Sequence, residues 1–160
     1  MRTIILGIGN PLLGDDGVGI RVAKELRKHV KDPDVEVDET TTGGINLLDQ
    51  IIGFDKAILV DTIKDKSMRN GEIKRLTLGD LSSYHSFNPH DVGLPEACKL
   101  AKRLGETRIP HDITIFGIAV NKMQYEFWEG LSEEISKTVP KTVDMIMSEL
   151  NHHKNQVEEI

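Results

Sequence analysis

Two periods of apolar residues alternate along this chain. Thr3–Ile8 is a short β-branched run ending in Gly-x-Gly, the pattern of a buried strand entering a loop. Val18, Val22, Leu26 and Val30 then recur every four positions, which predicts a helix over Val18–Val30 with one apolar face. Lys31-Asp32-Pro33-Asp34 breaks it, and Val35–Asp38 predicts a second strand. After the polar stretch Thr40–Gly44, Ile45–Ile52 predicts a short helix, and Ala57–Val60 a buried strand that runs into Asp61. A turn at Arg69-Asn70-Gly71 leads to Glu72–Leu78, whose alternation predicts a fourth strand. Asp80–Pro89 is loop-like.

Leu94, Ala97, Ala101 and Leu104 stripe a helix over Asp91–Leu104, with Pro95 tolerated near its first turn. Ile113–Ile118 predicts the fifth strand. Leu131, Ile135, Val139, Val143, Met147 and Leu150 stripe the last helix, which Pro140 is expected to kink. Residues 151–160 form a polar tail expected to fray. Strands alternating with helices predict an α/β fold whose largely parallel sheet is covered on both faces. Nothing marks a second domain, so residues 1–150 are expected to be a single α/β domain.

Composition narrows the function classes. The 160 residues carry 20 basic and 26 acidic side chains, a net charge of −6, without the basic stripe that nucleic-acid binding needs. No apolar run approaches the roughly 20 residues of a membrane span. Met1-Arg2 leads directly into the first strand, with no small-residue cleavage site of a signal peptide. The lone Cys98 forbids an internal disulfide and any CxxC site. A cytoplasmic enzyme or binding domain is the expectation, with no membrane insertion and no nucleic-acid partner.

In open α/β sheets, chemistry gathers in loops at the carboxyl ends of strands. The loop after the first strand, Gly7-Ile8-Gly9-Asn10-Pro11-Leu12-Leu13-Gly14-Asp15-Asp16-Gly17-Val18-Gly19, is the most informative. Leu12 stands where a dinucleotide fingerprint needs glycine, and Asp15-Asp16 stand where a P-loop needs lysine, so nucleotide binding is disfavoured. Helix capping would account for one aspartate but not for the glycines around the pair. Neighbouring side chains point different ways, and the residues alone do not say which acid enters a site.

Asp61, at the end of a buried strand, is the second candidate. Asp61-Thr62 lacks the glycine of a pepsin-like Asp-Thr-Gly and has no second copy. His90, in Asn88-Pro89-His90-Asp91, is the third, ahead of His111, while His29, His85, His152 and His153 are poorer. Two carboxylates and an imidazole from three loops suit a divalent metal with open positions, and no HExxH or CxxC spacing points to tightly held zinc. Nucleophilic catalysis is disfavoured: there is no Gly-x-Ser-x-Gly, and Cys98 lies mid-helix.

Taken in order, Gly7-x-Gly9-Asn10 through Asp15-Asp16-Gly17-x-Gly19, Thr42-Gly43-Gly44, Asp61 after a buried strand, and Pro89-His90-x-x-Gly93-Leu94 resemble the hydrogenase maturation endopeptidases. The resemblance implies a three-layer α/β/α sandwich around a mostly parallel five-stranded sheet. It implies an endopeptidase that removes the C-terminal extension of a nickel–iron hydrogenase large-subunit precursor after nickel insertion. The family's metal-contacting groups fall on Asp16, Asp61 and His90. Many members have Glu at the first of these, so Asp16 reaches one methylene less far. The nickel belongs to the substrate precursor, and no tightly bound metal of the protein's own is expected.

Two rivals share these features. A peptidyl-tRNA hydrolase also begins with a strand and Gly-x-Gly-Asn-Pro, but it carries a histidine where this chain has Leu12–Asp16. A non-proteolytic docking protein that only checks nickel loading would need the same three ligands. A monomer is expected, and Met123–Trp128 offers apolar positions for packing under the last helix or contacting a partner.

Overall fold

The computed structural model of the chain describes residues 1–41, 44–81, 84, 93–122 and 130–158. Five strands form one sheet: β1 (Thr3–Ile8), β2 (Val35–Thr40), β3 (Lys56–Ile63), β4 (Ile73–Thr77) and β5 (Asp112–Ala119). Their order is β2-β1-β3-β5-β4, parallel except for β4, which runs antiparallel to β5 at one edge. The exposed Lys74 and Arg75 put charge on that edge strand, which disfavours pairing with another chain. The expected α/β/α sandwich is therefore the observed fold.

Strand alternation divides the core between the two faces of the sheet. Ile4, Leu6 and Ile8 of β1 and Ala57, Leu59 and Ile63 of β3 pack with α2 (Gly44–Ile51) and α4 (Leu94–Arg103). Ile5, Ile58 and Val60 pack on the other face, with Val18, Val22 and Leu26 of α1 (Val18–His29) and with Val139, Val143 and Ile146 of α6 (Thr138–Glu158). Two short helices, α3 (Leu78–Leu81) and α5 (Glu133–Ser136), also occur among the described residues. Among the described residues, no helix is long and apolar enough to cross a membrane.

The structure changes three helix expectations. Pro140 does not kink one long helix; α5 ends at Ser136, and Pro140 sits in the first turn of α6, where a missing N–H costs little. The expected frayed tail is helical as far as Glu158, and Lys154 in this last stretch is 3.0 Å from Asp32. Leu104 is 80% exposed because α4 ends at Arg103 and the chain turns away through Gly105 at φ 91°. The predicted helix start at Asp91-Val92 and the apolar stretch 123–129 lie outside the described residues.

At the amino-terminal end of the sheet, Lys56 is 4% exposed, and its ammonium lies 3.1 Å from both Asp112 and Glu149. Arg75 adds a two-pronged contact to Glu149, through Nε and Nη2. Hydrogen bonding from Arg75, with further help from Lys56, pulls Glu149 down to about 2 against the opposing effect of burial. This network ties α6 to β3 and β4, far from the carboxyl ends of the strands.

Candidate active site

The strand order reverses direction at β1: the chain goes from β1 outward to β2, then returns to the other side of β1 as β3. Such a switch point leaves a crevice beyond the carboxyl ends of the two strands, the usual ligand site of an open α/β sheet. The loop that follows β1 and the end of β3 both open into it. They carry Asp16 and Asp61.

Glycines bring the first loop onto the sheet. A Cβ at Gly9 would overlap the carbonyl oxygen of Asp16, so only glycine lets the single 3₁₀ turn Gly14–Gly17 fold back against the end of β1. A Cβ at Gly19 would crowd the carbonyl oxygens of Ile8 and Val60, the latter at 2.5 Å. The glycines that capping left unexplained are thus places where backbone meets backbone. They hold the start of α1 against β1 and β3.

The two neighbouring aspartates divide their roles. Asp15 is 6% exposed, and its carboxylate accepts hydrogen bonds from the backbone N–H of Ser132 at 2.7 Å and from the Ser132 hydroxyl at 2.9 Å. Ser132 in turn caps α5 by accepting from the Ile135 N–H. Asp15 therefore fastens the loop to the start of α5. Asp16 points the other way: one oxygen accepts the Asn10 N–H at 2.8 Å and the other accepts the Thr62 hydroxyl at 3.3 Å.

Asp61 lies within β3, paired in register with Gly117 of β5. It is half-buried, and its Oδ1 accepts the N–H of the next residue, Thr62, at 2.8 Å. Burial pushes the Asp61 carboxyl up to about 8; the Thr62 hydrogen bond opposes the rise and the charge of Asp16 adds to it. Among the described residues, no lysine or arginine forms an ion pair with Asp16 or Asp61. Two neighbouring acids, neither with an ion-pair partner among the described residues, make a site that favours an incoming positive charge.

The third candidate, His90, lies outside the described residues, as do His85 and the pair Thr42-Gly43. Among the described residues, no three metal-capable side chains cluster. His111 precedes β5 at the amino-terminal end of the sheet, and His29 ends α1, so neither reaches the crevice. Cys98 is 2% exposed within the α4 core, and burial raises its thiol, as expected of an inert cysteine. The residue reading missed Thr62 and Ser132. Strand alternation could have shown that Thr62 faces the α1 side, opposite Asp61, whereas no local signal marks Ser132.

Comparison with known proteins decides the class. A sequence model of the family described as hydrogenase maturation protease matches residues 20–149. The chain belongs to the hydrogenase maturation protease family. It is 26% identical over 153 residues to the hydrogenase 2 maturation protease of Escherichia coli, covering 94% of this chain and 91% of that one. The hydrogenase maturating endopeptidase of E. coli shares the fold, with a TM-score of 0.80 and 24% identity over 96% of this chain and 94% of its own.

The crystal structure of a [NiFe] hydrogenase maturation protease from Thermococcus kodakarensis aligns with a TM-score of 0.69 and 26% identity, covering 91% and 89% of the two chains. This hydrogenase maturation protease is accordingly a peptide-bond hydrolase. Both the peptidyl-tRNA hydrolase and the non-proteolytic checking protein are set aside.

Proposed function

We propose that this protease removes the C-terminal extension of a nickel–iron hydrogenase large-subunit precursor after nickel insertion, and that Asp16, Asp61 and His90 grip the nickel the precursor carries. The observation that supports this most is the pair of carboxylates at the switch point, joined through Thr62 and lacking any ion-pair partner among the described residues. Carboxylate oxygens and an imidazole suit a divalent transition ion that already has other ligands. The single cysteine is buried in α4, so this chain offers no thiolate to bind nickel on its own account. The nickel is substrate cargo, and these donors complete its coordination. The same reading has the enzyme act as a monomer in the cytoplasm.

The precursor with metal supplies the cation that Asp16 and Asp61 lack and is favoured over the precursor without it. Asp61, whose carboxyl burial raises to about 8, releases its proton as the ion docks. The docked ion fixes the nearby scissile peptide in the crevice and polarises its carbonyl or a bound water. Hydrolysis then adds the water hydroxyl to the carbonyl carbon and its proton to the departing amine. Asp15, committed to Ser132, stays outside this chemistry.

The test is cleavage of purified nickel-loaded precursor by Asp16→Asn, Asp61→Asn and His90→Ala. Each is expected to cut at least about 100-fold more slowly than the parent enzyme, the scale for removing a group that acts on the reacting centre. Parental rates in all three would reject the assignment.

A further inference from the structure

We propose that Thr62 is a positioning residue of the site, whose hydroxyl sets the Asp16 carboxylate in the orientation that receives the substrate's metal. This rests on the assignment of Asp16 and Asp61 as groups that contact the nickel-bearing precursor. Thr62 touches both acids. Its backbone N–H donates to Asp61 Oδ1 at 2.8 Å, and its hydroxyl donates to Asp16 Oδ1 at 3.3 Å.

The topology makes this bridge available. Successive side chains of a strand point to opposite faces, and Ala57, Leu59 and Ile63 share the face covered by α2 and α4. Asp61 belongs to that series. Ile58 and Val60 face α1 and α6, and Thr62 continues their row toward the turn that precedes α1. A side chain at position 62 therefore meets the loop after β1, while its backbone meets Asp61.

The hydrogen bonds of Asp16 show what the hydroxyl adds. Oδ2 is held by the Asn10 N–H at 2.8 Å, on the loop leaving β1, and Oδ1 by Thr62 on β3. Two donors on two different elements fix the plane of the carboxylate. One donor would leave it free to turn, because the terminal torsion of aspartate has a broad, shallow preference. Each oxygen of an ionised carboxylate offers about two acceptor directions, so one donor apiece still leaves room for a cation. The 3.3 Å contact is longer than the roughly 2.8 Å of an unstrained O–H···O bond. Active-site hydrogen bonds are commonly long before substrate is bound and shorten in the complex.

Valine in place of Thr62 removes only the hydroxyl. It keeps the branched shape suited to a strand and the backbone N–H to Asp61. Thr62→Val is expected to lower kcat/KM on nickel-loaded precursor by about 10- to 100-fold, the range for partners that orient metal-contacting groups. Thr62→Ser, which restores a hydroxyl, is expected to recover activity to within about threefold of the parent, with the thermal unfolding midpoints of both variants within about 5 °C of the parent.

Parental kcat/KM in Thr62→Val would overturn the proposal, as would a loss that serine does not repair or one that tracks a fall in the unfolding midpoint. Asp16→Asn and Asp61→Asn run in the same assay separate two failures. If they are inactive while Thr62→Val is not, only the role of Thr62 is wrong. If they cut at the parental rate, the site assignment fails and takes this inference with it.

Discussion

Asp61→Asn is expected to make the folded protein more stable at pH 8 while abolishing cleavage. Burial, with the neighbouring Asp16 charge, raises the Asp61 carboxyl from an ordinary 3.8 to about 8. Between those values the folded chain keeps a proton that the unfolded chain releases. Stability therefore falls as pH rises through this window, and it is not penalised below the unfolded value. Asparagine has the same shape, still offers an oxygen to the Thr62 N–H, and carries no charge at any pH.

The variant should gain on the order of a few kcal/mol relative to the parent at pH 8 and little at pH 4. Urea unfolding at the two pH values measures this directly. An equal gain at both, or a loss at pH 8, would show that Asp61 is not held as a strained acid. The accompanying loss of activity follows because the neutral amide cannot balance a divalent ion. A site that costs stability in exchange for function is a familiar compromise.

Gly19→Ala is expected to cause severe structural damage through a single added methyl. The new Cβ would press on the carbonyl oxygens of Ile8 and Val60, which belong to two adjacent strands of a rigid sheet. Neither oxygen can retreat as a flexible side chain would, so the start of α1 must lift away. The cost should lie near the top of the overpacking range, about 3 kcal/mol, equivalent to a melting point lower by roughly 6–12 °C in a domain of this size. Lifting α1 also moves the turn that carries Asp16, so cleavage should fall together with stability. An alanine variant that melts and cuts like the parent would show that close backbone contact is not what requires glycine in this loop.

Much of the fold was legible because local periodicity and burial agree. The buried β1 and β3 runs, the Val18–Val22–Leu26 stripe and the turn at Asn70-Gly71 all carry their signals within a few residues. The antiparallel direction of β4 was not legible, since alternation marks a strand but not its partner; β5 enters between β3 and β4 only later in the chain. The helical continuation to Glu158 was missed because polar residues favour a tail until a distant contact such as Asp32–Lys154 is known.

The site divides in the same way. Asp61 announced itself by following a buried run, and the family resemblance singled out Asp16. The physical difference between Asp15 and Asp16 lies in Ser132, 117 positions away from the first, and in Thr62, 46 positions from the second. Gly9 and Gly19 are similar cases. Their necessity comes from backbone oxygens on other segments, which no window of sequence displays.

The central claim is that a metal carried by the substrate brings the precursor and these acids together for cleavage. The most direct measurement incubates the purified enzyme with nickel-loaded and with nickel-free large-subunit precursor, and determines the mass of the large subunit in each. Loss of a C-terminal peptide from the nickel-loaded precursor alone is the predicted result. Equal shortening of both precursors would contradict the claim, as would an unchanged mass in both.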